Sequence, residues 1–141
     1  MRRNKNCKRQ GLTDSILAWN KKFPRANDPE YTEGQAIDRT LSSALALDTR
    51  NLCLFLDGEL QAVLLFHEAI DGKHYIINHL KVDYTIPFIF DFMTCQIAKL
   101  AMDNSIPFLN IEMDLGIESL RQHKMGLRPA GFFKKYSIGL K

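Results

Sequence analysis

Charged side chains of both signs crowd into one short segment near the end of the chain. Two carboxylates, Glu112 and Asp114, follow an apolar run, and two cations, Arg121 and Lys124, follow a glycine turn. A carboxylate can accept a proton as a general base, and a cation can hold an anionic group of a substrate. The segment is therefore a candidate binding or catalytic site.

A short predicted helix places the two cations together. Ile117, Leu120, Arg121 and Lys124 are spaced i, i+3, i+4 and i+7, so they share one face of a helix over residues 117–125. The stripe begins apolar and ends cationic. A cation next to an apolar face needs either a partner or a ligand.

Two interpretations of this segment stay open. In the first, the charges form a structural salt-bridge cluster, with Asp114 as the helix N-cap and Gly116 in the tight turn. In the second, Arg121 or Lys124 holds an anionic group of a substrate. Ion-pair networks and active sites both concentrate charge, so composition alone does not separate the two.

Other polar side chains add weaker candidates. His67 and His79 lie on predicted paired strands, where either a general base or a satisfied strand histidine is expected. Lys81 alternates with His79 near the end of its strand, where mixed sheets often bind ligands, although a solvated lysine is the default. Tyr136 could donate a proton late in a transfer reaction, or simply end a strand.

Composition bounds the class of protein. The chain has 141 residues and a net charge of +3, and five of its first ten residues are basic. We therefore expect a basic arm over residues 1–11 and one domain over residues 12–141. The near-neutral body argues against a DNA-binding protein. No apolar run reaches the roughly 20 residues of a membrane span. The three widely spaced cysteines favour the cytoplasm and predict no metal site.

The elements that must position these residues follow from the apolar periodicity. Asp57-Gly58 and Asp71-Gly72 separate three short apolar runs, which predicts an antiparallel meander. A helical crossover should then lead to a strand parallel to the third one. The predicted helices cover 13–22, 32–45, 88–103 and 117–125, and the predicted strands cover 52–56, 60–68, 74–82, 107–113 and 131–138. This order predicts an α/β (α+β) fold with a mixed, mostly antiparallel sheet and helices on both faces.

The segment from Asn110 to Tyr136 resembles the signature of the phosphatidylglycerol lysyltransferase C-terminal family. The family pattern is Asn-x-Glu-x-Asp-Leu-Gly, then Leu-Arg-x-x-Lys, a proline and Lys-Tyr. The matching residues here are Asn110, Glu112, Asp114, Leu115, Gly116, Leu120, Arg121, Lys124, Pro129, Lys135 and Tyr136.

The resemblance implies a GNAT-like acyltransferase fold and transfer of an acyl or aminoacyl group to an amine or hydroxyl acceptor. It implies that Arg121 and Lys124 orient an anionic substrate group and that Glu112 or Asp114 holds them or acts as the base. Tyr136 would line the cleft. We add Asn110 and Lys81 as candidate substrate-binding residues.

The chain departs from acetyl-CoA-dependent relatives at residues 83–88. Those relatives carry a glycine-rich loop whose N–H groups hold a pyrophosphate, whereas the stretch here has no glycine and contains Asp83 and Pro87. Binding of acetyl-CoA is therefore disfavoured, and no cofactor is predicted. The family resemblance implies an aminoacyl-tRNA as a possible donor, and a small anionic substrate is the other possible partner.

The chain also has the length of one GNAT-like half, whereas members of the resembled family usually carry two in tandem. It has no transmembrane segment, so any membrane contact would be peripheral, through the basic arm. Two alternatives follow: a catalytically inert GNAT-like binding or regulatory module, and a CoA-dependent N-acetyltransferase with an atypical phosphate loop.

Overall fold

A computed structural model describes residues 33–43, 48–136 and 138–139. The described residues up to Asn110 form one compact unit, and those from Ile111 onward form a second. The predicted arm over 1–11, helix over 13–22 and start of the next helix at Thr32 lie outside the described residues. The prediction of one domain over 12–141 stays a prediction.

The first unit is a four-stranded mixed sheet with two helices. Strands follow the order β1-β2-β3-β4; the first three pair antiparallel, and β4 pairs parallel with β3. This confirms the predicted meander and the parallel strand after the crossover helix. The elements are α1 (Glu33–Ser42), β1 (Arg50–Leu56), β2 (Glu59–Ala69), β3 (His74–Val82), α2 (Ile89–Asp103) and β4 (Phe108–Asn110).

The β1–β2 hairpin turns where the sequence predicts it. Asp57 and Gly58 both have positive φ, at 51° and 86°. Two consecutive left-handed residues make a type I′ turn, whose twist matches that of the flanking strands. The turn sets the register that pairs Leu56 with Glu59.

The central strand β2 is buried on both faces. Val63 and Leu65 pack against Ile37 and Leu41 of α1. The opposite face carries Phe66, and alternation along the strand separates the two sets.

Helix α2 covers that opposite face. The rings of Phe66 and Tyr75 lie 4.9 Å apart. The amide of Asn104, which caps α2, donates to the Tyr75 hydroxyl at 3.0 Å. Helices therefore cover both faces of the sheet, as the sequence predicts.

The second unit contains one helix, α3 (Glu118–Gly126). The predicted strand over 107–113 forms only over Phe108–Asn110, and Glu112 has a φ of 58°, which ends the extended backbone. The predicted last strand over 131–138 is wrong, because residues 131–136 have no regular secondary structure. Alternating apolar residues favour a strand, but only backbone pairing makes one.

Candidate functional site

Strand β4 pairs with β3 over three residues only. Their ladder joins His74 to Phe108, Tyr75 to Leu109 and Ile76 to Asn110. Beyond this ladder β4 ends, whereas β3 runs on to Val82. Ligands in open α/β sheets commonly bind outside the carboxyl ends of the parallel strands. The end of the β3–β4 ladder is therefore a candidate ligand-binding site of this unit.

A β-bulge lies at the same point of β3. Leu65 pairs with His79 and Phe66 pairs with Ile77, so Asn78 is an extra residue on β3. A bulge redirects the side chain of the extra residue. The Oδ1 atom of Asn78 lies 2.9 Å from Nδ1 of His67 on the neighbouring strand.

The register brings three residues into one row beside this bulge. His67 pairs with Ile76, and Ile76 pairs with Asn110. Residues in register on adjacent strands share a face of the sheet. At about 5 Å between strands, the Cα atoms of His67 and Asn110 are roughly 10 Å apart. The predicted substrate-binding residue Asn110 therefore shares a face with His67 and the Asn78 bulge.

Lys81 lies farther along the same strand. It pairs with Val63, whose side chain packs on α1, so Lys81 and His79 occupy the α1 face of β3. Nε2 of His79 is 3.3 Å from Oγ1 of Thr40 on α1. The structure thus gives His79 a side-chain partner, as expected of a satisfied strand histidine.

The stretch that would bind a pyrophosphate in a CoA enzyme is closed by its own hydrogen bonds. The Thr85 N–H donates to Oδ1 of Asp83 at 2.9 Å, and the Ile86 N–H donates to the Asp83 carbonyl at 3.0 Å. Asp83 itself is buried, with 5% of its surface exposed. Asp91 adds a negative charge to the first turn of α2. This arrangement opposes binding of a phosphate in the usual way.

In the second unit, Asp114 holds Arg121. Nε of Arg121 lies 2.6 Å from Oδ2 of Asp114, while Oδ1 of Asp114 accepts the Gly116 N–H at 2.9 Å. The hydrogen bond from Arg121, followed by that from Gly116, lowers the pKa of Asp114. The same pairing raises the pKa of Arg121. A carboxylate stabilised in its charged form in this way is a weak proton acceptor.

The predicted N-cap role of Asp114 is wrong. The N-cap of α3 is Ile117, and no side chain caps it. Asp114 instead folds the turn before the helix, since its carbonyl also accepts the Ile117 N–H at 2.9 Å. Gly116 has a φ of 74° in this turn, as its predicted role requires.

Lys124 makes a different kind of contact. Its Nζ donates to three successive backbone carbonyls, those of Ile111 at 2.6 Å, Glu112 at 3.0 Å and Met113 at 2.7 Å. An ammonium group has three N–H donors, so these contacts use all of them. Desolvation by burial lowers the pKa of Lys124, and the nearby carboxylates of Asp114 and Glu112 partly oppose that shift.

The remaining predicted residues lie close by in the sequence. The Glu112 carboxylate forms a salt bridge with Lys135. Tyr136 is exposed, with 79% of its surface accessible. The contacts of Arg121, Lys124 and Lys135 support the structural interpretation of this segment. The predicted catalytic roles of Glu112, Asp114 and Tyr136, and the binding roles of Arg121 and Lys124, stay predictions.

The pairing of Asn78 with His67 is the feature of this site that the sequence does not predict. The sequence predicts either a general base or a satisfied strand histidine at His67 and assigns no role to Asn78. No periodicity locates a bulge, however, so the contact could not be anticipated. Among the described residues, no group of His, Cys, Asp and Glu is placed to hold a metal ion.

Comparison with solved structures identifies the fold. The chain matches a conserved protein of unknown function from Bacteroides thetaiotaomicron VPI-5482 with a TM-score of 0.73 and 24% identity, over 91% of this chain and 43% of that one. A ribosomal-protein-alanine N-acetyltransferase from Brucella melitensis biovar Abortus 2308 matches with a TM-score of 0.64 and 16% identity, over 91% and 93% of the two chains. A possible acetyltransferase from Clostridium difficile 630 matches with a TM-score of 0.67 and 11% identity, over 99% of this chain and 96% of that one.

These likenesses show a GNAT-like N-acyltransferase fold, in agreement with the expectation from the sequence. The chain spans 43% of the length of the Bacteroides protein. No family model matches the chain, and no curated protein matches it by sequence. None of the helices in the described parts of the chain is long and apolar enough to cross a bilayer.

Proposed function

We propose that this chain is an acyltransferase domain that moves an acyl or aminoacyl group to an amine or hydroxyl acceptor. The observation that carries the proposal is the GNAT-like fold with a short parallel β3–β4 ladder, at whose end His67, Asn78 and Asn110 lie together. Transfer of this kind needs a binding site for the donor and polar side chains next to the reacting carbonyl. Positioning and charge stabilisation supply most of the catalysis.

The donor we favour is an aminoacyl ester of transfer RNA. Two observations support it: the signature Asn110–Tyr136 resembles the phosphatidylglycerol lysyltransferase family, and Asp83 occupies the N–H groups that a CoA pyrophosphate would need. In the reaction the acceptor nitrogen or oxygen attacks the ester carbonyl, the ester C–O bond breaks, and the proton lost by the acceptor ends on the released hydroxyl of the RNA.

Binding and transfer measurements on the full chain test this proposal. Acetyl-CoA and aminoacylated transfer RNA are titrated separately, with uncharged transfer RNA as the control. Transfer is followed as loss of the aminoacyl group that depends on both the protein and an added amine or lipid hydroxyl. We expect binding and transfer with the aminoacylated RNA alone. Tight binding of acetyl-CoA would contradict the argument from residues 83–88.

A second candidate function is a catalytically inert binding or regulatory module. It is favoured by the way Asp114 pairs with Arg121, Glu112 with Lys135, and Lys124 with three carbonyls. Charges held by one another need no substrate to neutralise them. Absence of binding and transfer with either donor would favour this module over the acyltransferase.

A further inference from the structure

His67 and Asn78 form a polar pair that the sequence signature does not include. His67 is half-buried on β2, and Asn78 is the exposed extra residue of the β3 bulge. In a regular strand Asn78 would pair with Phe66, the residue that follows the partner of His79 on β2. The bulge instead leaves it beside the histidine, with 2.9 Å between Oδ1 and Nδ1.

This contact fixes the chemistry of the imidazole. A neutral imidazole has one N–H and one bare nitrogen, and the hydrogen bond made by one nitrogen decides which is which. The Asn78 amide oxygen accepts hydrogen bonds, so this contact favours the neutral tautomer of His67 with its hydrogen on Nδ1. Nε2 is left with its lone pair, and it can accept a proton.

The position of the pair agrees with this role. His67 shares the last row of the β3–β4 ladder with Ile76 and Asn110, at the point where β4 ends and β3 runs on. The other titratable side chains on this face of β3 are His74, in the first row of the ladder, and His79 and Lys81, beyond the bulge. The carboxylate next to His67 on β2, that of Glu68, alternates to the opposite side.

We infer that His67 is the general base of the proposed transfer and that Asn78 is the residue that positions it. This inference rests on the proposed function. As the acceptor nitrogen attacks the ester carbonyl, Nε2 of His67 takes the proton that the nitrogen loses. The resulting imidazolium returns that proton to the leaving oxygen when the ester C–O bond breaks, so the histidine ends the cycle neutral.

The first test reads the tautomer in the resting protein and needs no substrate. Nitrogen chemical shifts of the imidazole distinguish a protonated Nδ1 from a protonated Nε2. We expect His67 to carry its hydrogen on Nδ1 in the wild type and to lose that preference in Asn78→Ala. A hydrogen on Nε2 in the wild type overturns the inference, whatever the protein transfers.

The second test is kinetic, with the aminoacylated transfer RNA and the acceptor used for the wild type. We expect His67→Gln to lower kcat about 10²-fold or more and to remove the pH dependence that a general base gives to kcat. Asn78→Ala should lower kcat and leave KM unchanged. His123→Gln, on α3, is the matched control for His67→Gln.

The outcomes separate the two claims. Transfer that proceeds in His67→Gln within threefold of the wild type overturns the inference and leaves the acyltransferase proposal standing. No transfer by the wild type from either donor overturns both. Both claims are supported if Nδ1 of His67 is protonated, and if transfer is lost in His67→Gln but kept in the His123→Gln control.

Discussion

Nε of Arg121 lies 2.6 Å from Oδ2 of Asp114, across the turn that leads into α3. The Arg121 side chain is about half exposed, at 53%, and Asp114 is less so, at 29%. Such a pair stabilises little through charge alone, because water screens it. Its effect on structure comes from the second oxygen of Asp114, which binds the Gly116 N–H and so ties the helix to the turn.

This pair predicts a pH-dependent stability. The pKa of Asp114 is lower in the folded protein than in the unfolded chain, chiefly because of Arg121. A depressed carboxyl pKa contributes stability above the unfolded value of about 3.9, and that contribution is lost as the pH falls below it. We expect Asp114→Asn to unfold more easily than the wild type at pH 7, and the difference to shrink as the pH falls through the folded pKa of Asp114. Denaturation curves at several pH values measure the difference.

Asp103 provides the control for that experiment. It forms an exposed i,i+4 pair with Lys99 at 3.1 Å, without crossing a turn. Asp103→Asn should change the free energy of unfolding less at pH 7. An equal effect of the two substitutions would contradict the role given to the turn.

Lys124 should stabilise the stretch that follows β4. Its ammonium binds the carbonyls of Ile111, Glu112 and Met113, so replacing it removes three charge-assisted hydrogen bonds at once. We expect Lys124→Met to lower the free energy of unfolding by about 1–3 kcal/mol. Faster amide hydrogen exchange around these residues should accompany the loss. Lys134→Met removes an exposed lysine of the same unit and should change neither measurement; equal effects would show that Lys124 does not hold the loop.

Asp83 should be required to keep the β3–α2 connection closed. It is buried and accepts both the N–H of Thr85 and its hydroxyl, the latter at 2.6 Å. We expect Asp83→Ala to cost about 1–3 kcal/mol in free energy of unfolding, because the Thr85 donors lose their acceptor. Thr85→Val removes the hydroxyl bond alone and should cost less. A larger loss in Thr85→Val would contradict this ranking, and chemical denaturation measures both.

Gly58 tests the hairpin turn. Its φ of 86° is reached at little cost only without a side chain, and nothing lies within 4 Å of the place where a Cβ would be. We expect Gly58→Ala to destabilise the protein by about 1 kcal/mol through backbone strain and not through a clash. Gly126→Ala, at the end of α3, should be neutral or stabilising because alanine favours a helix. The thermal unfolding temperature should therefore fall in Gly58→Ala, and in Gly126→Ala it should rise or stay unchanged.

The sequence by itself determined the elements that depend on neighbouring residues. Asp57-Gly58 specified a turn because few residues other than glycine, asparagine and aspartate accept positive φ. The apolar periods of two and 3.6 residues specified β1 to β3 and α2. The parallel placement of β4 followed because a helical crossover returns the chain to the end of the sheet at which β3 begins, so that the next strand runs in the same direction.

The tertiary structure alone decided what depends on contacts between distant residues. Glu112 and Asp114 are equivalent candidates by type, yet Lys135 binds one and Arg121 the other. Residues 131–136 alternate like a strand and form none, because a strand needs a partner and not only a pattern. The Asn78 bulge brings a side chain to His67 from eleven residues away, and the register that places them together exists only once β2 and β3 have paired.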